Sequence, residues 1–312
     1  MNQKTHRIGA AATASPTVMR RERLLGHLAM LLFSALIAGS FSFGGLAAQH
    51  MDAAPLTLWR YLLTVLVMAV LALGMFRAPL VRPVQPWRFL ILGGLIAFYM
   101  LTMFTALEFT DPVSTGAVFT LMPLLSAGFA LLFVGQRTRS GVLTALMIAA
   151  VGAIWVIFRG NVEAILSFDI GRGEIIFFTG VTAHAAYVPL IRKFDRGENP
   201  VAFGFWVTVA SALCLLPIGA RELAATDFTA LPLSVYVAVA YLAVVTTAIT
   251  FLLLQFASMR LPAPKVLGYG YLTPSFIILL EGLLGHGWPP ASVLAGAIVT
   301  ACGLVAMARL PD

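Results

Sequence analysis

Eight ionisable or aromatic side chains in or beside the apolar runs of this 312-residue sequence are spaced to suit binding chemistry. His184 and Tyr187 are three apart, so any helix that holds them presents both on one face. Lys265 and Tyr269, four apart, share a face in the same way, and Tyr99 has Met103 one turn beyond it. A neutral imidazole can hydrogen-bond a polar group, a tyrosine offers a ring and a hydroxyl, and a lysine can meet a carboxylate. A lining of such rings suits amphipathic organic molecules, because a ring face accepts both apolar and cationic groups. Each residue also has a plainer reading. His184 either holds a ligand or bonds a carbonyl of a neighbouring helix. Lys265 either pairs with a carboxylate or snorkels to the membrane surface.

Arg60, Glu108 and Glu281 form a second group. Arg60 lies about 10 Å inside its apolar run, at ~1.5 Å per helical residue, and the two glutamates lie near the ends of theirs. They fit an ion pair or gate; Arg60 fits equally well as a structural arginine bonded to helix carbonyls. No set of Cys and His has metal-ligand spacing, and no glycine-rich phosphate loop follows a strand. Neither a metal nor a cofactor is therefore expected, nor an enzyme: clustered intramembrane acids or histidines are lacking. Cys214 and Cys302 both lie in apolar runs and read as small packing residues.

The elements that must position these groups follow from composition. Hydrophobic residues make up 60% of the chain and charged residues only 11%, against ~25% charged in ordinary soluble domains. The mean hydropathy is +0.94. About 20 apolar residues span the hydrocarbon of a bilayer, and ten such runs occur: 25–48, 53–76, 88–109, 112–133, 140–158, 173–191, 201–219, 232–253, 263–284 and 289–308. They are too long and too little alternating for barrel strands, which leaves helices. Prolines punctuate their starts, as in Asp111-Pro112 and Asn199-Pro200, where a missing N–H costs nothing. The run after the basic residues of the N-terminus is too long for a signal-peptide core and is expected to be retained.

The net charge of +7 is scattered between runs rather than gathered into a stripe, which argues against nucleic acid. With the N-terminus cytoplasmic, sixteen Lys and Arg fall on the inner side and three (Arg159, Arg172, Arg221) on the outer side. The bias alternates without inversion, as the positive-inside rule requires. Placing Leu121-Met122-Pro123 over Leu272-Thr273-Pro274, 151 residues on, also places Gly152 over Gly303. Five helices per half is an odd number, so the second half must enter the membrane from the opposite side. The expected fold is an all-α integral membrane protein of ten transmembrane helices in two inverted five-helix repeats, with both termini cytoplasmic. Its segments are a tail over 1–24, a half over 25–158, a periplasmic connection over 159–172, a half over 173–308 and an end over 309–312.

These features resemble the EamA-type members of the drug/metabolite transporter superfamily over nearly the whole chain after residue 24. The resemblance is carried by Pro55, Arg60, Ala106-Leu107, Pro123, Gly135-Gln136-Arg137, Gly152, Pro274 and Gly303. Gln136 departs from the Glu usual there. A narrower resemblance, to the YddG-type bacterial aromatic amino-acid exporters, rests on Gly135-Gln136-Arg137-Thr138, Gly152 with Trp155, and Ala185-Ala186-Tyr187 followed by Lys193-Phe194 and Arg196-Gly197; His184 stands where a tryptophan precedes that triplet. The resemblance implies an inner-membrane, multi-pass secondary transporter, monomeric or homodimeric, exporting neutral or aromatic amino acids by alternating access. A drug or other metabolite exporter, and a channel-like protein without directed coupling, stay open beside it. The implied cavity would be lined by Tyr99, His184, Tyr187, Lys265 and Tyr269. Topology is directly testable: cysteines placed at Ala53 and Thr226 should label from outside in whole cells. Labelling of either only after lysis would remove the ten-helix arrangement.

Overall fold

The computed structural model describes residues 16–167, 170–258, 260–261, 266, 268–288 and 290–310. The secondary structure of the described residues is helical throughout. The elements are α1 (Pro16–Ala48), α2 (Ala53–Val70), α3 (Trp87–Leu107), α4 (Pro112–Phe119), α5 (Met122–Val134), α6 (Ser140–Ile157), α7 (Val162–Ser167), α8 (Arg172–Phe194), α9 (Pro200–Ala225), α10 (Leu233–Ala240), α11 (Thr250–Ser258), α12 (Thr273–Leu283) and α13 (Ala291–Arg309). Among the described residues, seven helical stretches are long and apolar enough to cross a membrane: Arg21–Ala48, Ala53–Met75, Trp87–Leu107, Pro112–Val134, Arg172–Phe194, Pro200–Ala225 and Leu233–Leu254. Ser140–Val156 and Ala291–Met307 are shorter apolar helices.

Several stretches depart from regular α-helix, each where the sequence supplies a reason. α4 ends at Phe119 and α5 restarts at Met122 with Pro123 in its first turn. In the same way a 3₁₀ turn, Tyr269–Leu272, precedes α12, which carries Pro274 in its first turn. Proline cannot donate to the preceding turn, so both helices break there. These are the two Pro-containing triplets that align at the 151-residue offset. α2 closes with π-helical Leu71–Met75, and π-helical Tyr241–Ile249 joins α10 to α11. Starts are sharper than ends. Asp111 Oδ1 accepts from the backbone N–H groups of Val113 and Ser114 at 2.9 and 3.0 Å, and Asn199 Oδ1 accepts from Val201 at 2.9 Å. Each cap supplies about 1 kcal/mol, and each is followed by its proline. α5 ends at Gly135, whose φ of 67° is the left-handed value that favours glycine.

Two differences from the expected boundaries stand out. α1 begins at Pro16 rather than at residue 25, because helical hydrogen bonding needs no apolar side chains and the charged residues 20–23 continue it beyond the apolar run. α7 is a short helix inside the 159–172 connection, started by Asn161, whose Oδ1 accepts from Glu163 and Ala164. Ala53 is only 5% exposed, so a cysteine there would report packing rather than side. The neighbouring Asp52 is exposed and is the better labelling position.

The packing pairs matched positions. α6 and α13 cross antiparallel: Trp155 Nε1 donates to Ser292 O at 2.7 Å at one end, and Gly141 faces Leu310 at the other. Between them, a Cβ on Gly152 would lie 2.5 Å from Thr300 Oγ1 and 2.7 Å from Gly296 O, while one on Gly303 would lie 3.1 Å from both Ala145 O and Ala149 N. Ala145 and Gly296, Ala149 and Thr300, and Gly152 and Gly303 are all 151 residues apart, so the contact maps onto itself under that offset. α2 and α9 are also antiparallel, with Gly219 against Ala54 and Leu58 and Gly204 against Met68. α8 packs on α3 and α5, and α1 packs on α11 and α12. Without a hydrophobic drive between helices in lipid, such close backbone approach supplies the van der Waals contact that holds them. Gly152→Ala should cost about 1–3 kcal/mol by overpacking, read as a lower melting temperature in detergent. Gly128→Ala, which meets nothing within 4 Å, should be neutral or slightly stabilising.

Candidate functional site

The structure brings three of the five sequence-expected binding residues together. The His184 and Tyr99 rings lie with centroids 4.4 Å apart, and the Tyr187 ring is 5.8 Å from His184. Phe119 and Phe177 close around Tyr99 at 6.3 and 5.6 Å, and Phe41 meets both. α8 contributes His184, Tyr187 and Phe177, α3 contributes Tyr99, α1 contributes Phe41, and α4 ends on Phe119. The break after α4 thus sits beside the cluster. His184 Nδ1 is buried with no hydrogen-bond partner among the described residues. A buried unpaired polar atom is costly, and this one is aimed among rings rather than at a carbonyl.

Tyr187 also lines a cavity of about 250 Å³, together with Arg60. Arg60 is 4% exposed. Its Nη1 donates to Met100 Sδ at 2.8 Å and its Nη2 to Thr246 Oγ1 at 3.3 Å. The guanidinium lies 5.8 and 5.9 Å from the Tyr61 and Phe104 ring centroids. Thr64, Thr208, Ser211, Thr246, Thr247 and Thr250 complete the polar part of the wall. Reading the sequence span by span missed these hydroxyls. The usable signal was their helical spacing: Arg60 with Thr64, Thr208 with Ser211, and Thr246 with Thr250, each pair on one face.

The other expected residues lie elsewhere. Tyr269 is not part of the cluster: its hydroxyl meets His27 Nδ1 at 2.8 Å, and its carbonyl accepts from Ser34 Oγ at 2.6 Å. Lys265 lies outside the described residues. Arg60 has no carboxylate partner among the described residues, so it pairs with neither Glu108 nor Glu281. Those two instead line one polar space of about 480 Å³ with Asp111, Arg159 and His286. There Glu281 Oε2 lies 2.8 Å from His286 Nδ1, and Arg159 pairs with the capping Asp111.

At the opposite end of the bundle, Arg88 is fully buried at the start of α3. It donates to the Val84 and Phe194 carbonyls and, at 2.6 Å, to Glu198 Oε1. The bond to Phe194 O ties α3 to the C-terminal end of α8. Trp87 and Phe194 pack edge to face beside it, and Gln136 Oε1 accepts from Arg192 at 3.1 Å. Burial pushes the Glu198 carboxyl up, but the Arg88 hydrogen bond, the backbone N–H groups of Arg196 and Glu198, and the Arg88 charge outweigh it. The carboxyl is therefore held below its ordinary value.

Apolar helical rods packed around internal polar and aromatic space define a multi-pass membrane protein that encloses room for small solutes. The chain belongs to the EamA-like transporter family, whose model matches residues 24–158 and again residues 171–309; it is a membrane transporter. It is 23% identical over 293 residues, 91% of this chain and 95% of the relative, to a protein of Bacillus subtilis (strain 168) called the uncharacterized transporter YyaM. A crystal structure described simply as that of a protein shares the fold, with a TM-score of 0.65 at 21% identity over 93% of this chain and 96% of that one.

The Arg88–Glu198 clasp yields a signed prediction. A folded-state carboxylate pKa below the ordinary value near ~4.3 means the pair stabilises at neutral pH and loses that contribution as pH falls through the lowered value. Glu198→Gln should lower stability by about 1–3 kcal/mol at neutral pH. The gap to the parent should close in acid, as followed by melting temperature across pH.

Proposed function

We propose that this protein is a secondary transporter of the inner membrane that exports small organic metabolites, neutral and aromatic amino acids foremost, by alternating access. The observation that carries the reading is the Tyr99–His184–Tyr187 cluster, built by α3 and α8 with rings from their neighbours, against a cavity that holds polar side chains. Ring faces accept an apolar side chain, while the unpaired His184 nitrogen and the cavity hydroxyls meet polar groups. Amphipathic solutes match that combination better than sugars. Phosphates usually demand a cluster of Arg and Lys, and Arg60 stands as the cavity's one basic residue among the described residues.

In this reading the chain crosses the membrane ten times in two inverted halves, residues 25–158 and 173–308, with both termini cytoplasmic. The double family match and the self-matching α6–α13 crossing support it. The Glu108–Glu281 space then opens to the periplasm, and the Arg88–Glu198 clasp lies on the cytoplasmic side. Tyr269 lies toward that inner side through its bond to His27.

The test is a proteoliposome counterflow panel of amino acids, sugars, sugar phosphates and cationic drugs, with and without a pH gradient. Saturable exchange of Phe- or Met-like amino acids is expected, and His184→Ala or Tyr187→Ala should change which of them is preferred. Sugar-phosphate exchange without amino-acid flux would overturn the substrate class, and non-saturating flux would replace the carrier with a channel.

A further inference from the structure

Arg60 and Arg88 are both buried arginines, and the contrast between them is informative. Arg88 shows how this chain settles a structural arginine: two backbone carbonyls and a carboxylate. Arg60 has none of these. Its hydrogen-bond acceptors are a thioether sulfur, a weak acceptor, and one hydroxyl at the long distance of 3.3 Å. A guanidinium offers five N–H donors in a planar fork that fits a carboxylate with two parallel bonds. Among the described residues, no acidic side chain lines the cavity it faces. An ionised group inside a membrane bundle is expensive without a counter-charge, and the cavity is where that counter-charge can enter.

The hydroxyls around Arg60 have a polarity of their own. Thr64, Thr208, Ser211, Thr246 and Thr250 each donate to a carbonyl of their own helix, at 2.7 to 2.9 Å. Their protons are therefore engaged, and what they turn to the cavity is oxygen lone pairs. The wall thus combines one cationic fork with acceptors drawn from α2, α9, the Tyr241–Ile249 segment and α11. A ligand that satisfies both carries an anionic group for the fork and a donor-bearing cationic group for the acceptors. Tyr187 joins this cavity to the aromatic cluster, so an apolar substituent has a place adjoining the polar end.

We infer that Arg60 and the surrounding threonine and serine oxygens form the head-group site for a zwitterionic α-amino acid, the carboxylate on the Arg60 fork and the ammonium on the hydroxyl oxygens. The side chain would lie toward Tyr187, His184 and Tyr99. This deepens, and rests on, the transporter reading above, and it moves the carboxylate from Lys265 to Arg60.

The test uses the purified full chain in detergent, its melting temperature titrated with L-phenylalanine, L-phenylalaninamide, 3-phenylpropionate and 2-phenylethylamine. L-Phenylalanine and, more weakly, 3-phenylpropionate should stabilise the parent; the two probes without a carboxylate should not. Arg60→Gln should weaken L-phenylalanine roughly ten- to a hundred-fold, the range for a charged hydrogen bond. Arg60→Lys should recover part of that loss, and Lys265→Gln should leave the carboxylate preference intact. Thr208→Val with Thr250→Val should weaken L-phenylalanine more than 3-phenylpropionate. Should Arg60→Gln not fold, the four-probe ranking on the parent and the Arg60→Lys response decide the matter. Absence of any carboxylate-dependent shift in the parent overturns the inference. So does an unchanged carboxylate preference in a folded Arg60→Gln, or loss of that preference through Lys265→Gln alone. Arg60-dependent binding of 3-phenylpropionate without binding or transport of any amino acid overturns the zwitterion assignment and the amino-acid reading together. Arg60-independent binding with transport of the amine overturns the site while leaving the transporter.

Discussion

A bilayer interior offers a backbone amide nothing to bond with except its own chain, and the structure follows from that constraint. Spanning segments must be helices, and any lapse in helical bonding must be buried in protein or face a cavity. The lapses here obey the rule. The break after α4 buries Thr120 and leaves Phe119 as the last helical residue, where its ring meets Tyr99 and His184. The π-helical Tyr241–Ile249 carries Thr246 and Thr247 into the Arg60 cavity. Its extra residue per turn alters which side chains face inward, a common device at functional positions. The irregular backbone is therefore what aims the chemistry, and the regular helices are what make it tolerable.

The same scarcity of partners sets the terms for side chains. Threonine and serine in an apolar helix return their protons to the carbonyl four residues back, which satisfies the hydroxyl and converts it into an acceptor. A wall of such residues favours cationic donors even though it contains no acid. Set against one arginine, it gives a cavity with both polarities and a net positive charge. The polar space beyond α3 and α12 is built differently. Glu108, Asp111, Glu281, Arg159 and His286 are ionisable; Arg159 pairs with Asp111, and the His286 ring meets the Glu281 carboxyl at 2.8 Å. Groups near water can pair with each other, whereas the deeper arginine has no carboxylate partner among the described residues and, on the proposed reading, is left to a ligand.

Much of the framework was legible in the sequence because helix starts and close crossings leave local marks. Asp111-Pro112 and Asn199-Pro200 became capped starts, the two Pro-containing triplets became the two breaks, and Gly152 and Gly303 met at one crossing. His184, Tyr187 and Tyr99 came together because a three-residue spacing fixes one face and a mid-run position fixes depth. Tyr269 went elsewhere, to His27, because its depth said nothing about which neighbour its face would meet. Arg60 was visible as a buried charge, but its partner Thr246 lies 186 residues away. Threonines in apolar runs read as packing until a structure shows which of them surround the same space.

The 151-residue correspondence carries one more consequence. Contacts that map onto themselves, α6 with α13 and α2 with α9, are equivalent from both halves and need not change when the halves exchange conformations. Contacts that map onto a different pair are free to differ. α8 against α3 corresponds to α1 against α10, the Tyr241–Ile249 segment and α11 taken together, and the two contacts are of similar extent. Gly180 of α8 approaches Thr102 of α3 so closely that a Cβ would lie 3.2 Å from Tyr99 O, and Arg88 clasps the end of the same pair. On the proposed reading, alternation would pass packing between these two pairs, with the glycine crossing of α6 and α13 as the fixed hinge. The aromatic cluster spans α8, α3 and α1, and the arginine cavity draws on α2, α8, α9 and α11. A solute held there touches both exchangeable pairs and would sense the transfer directly.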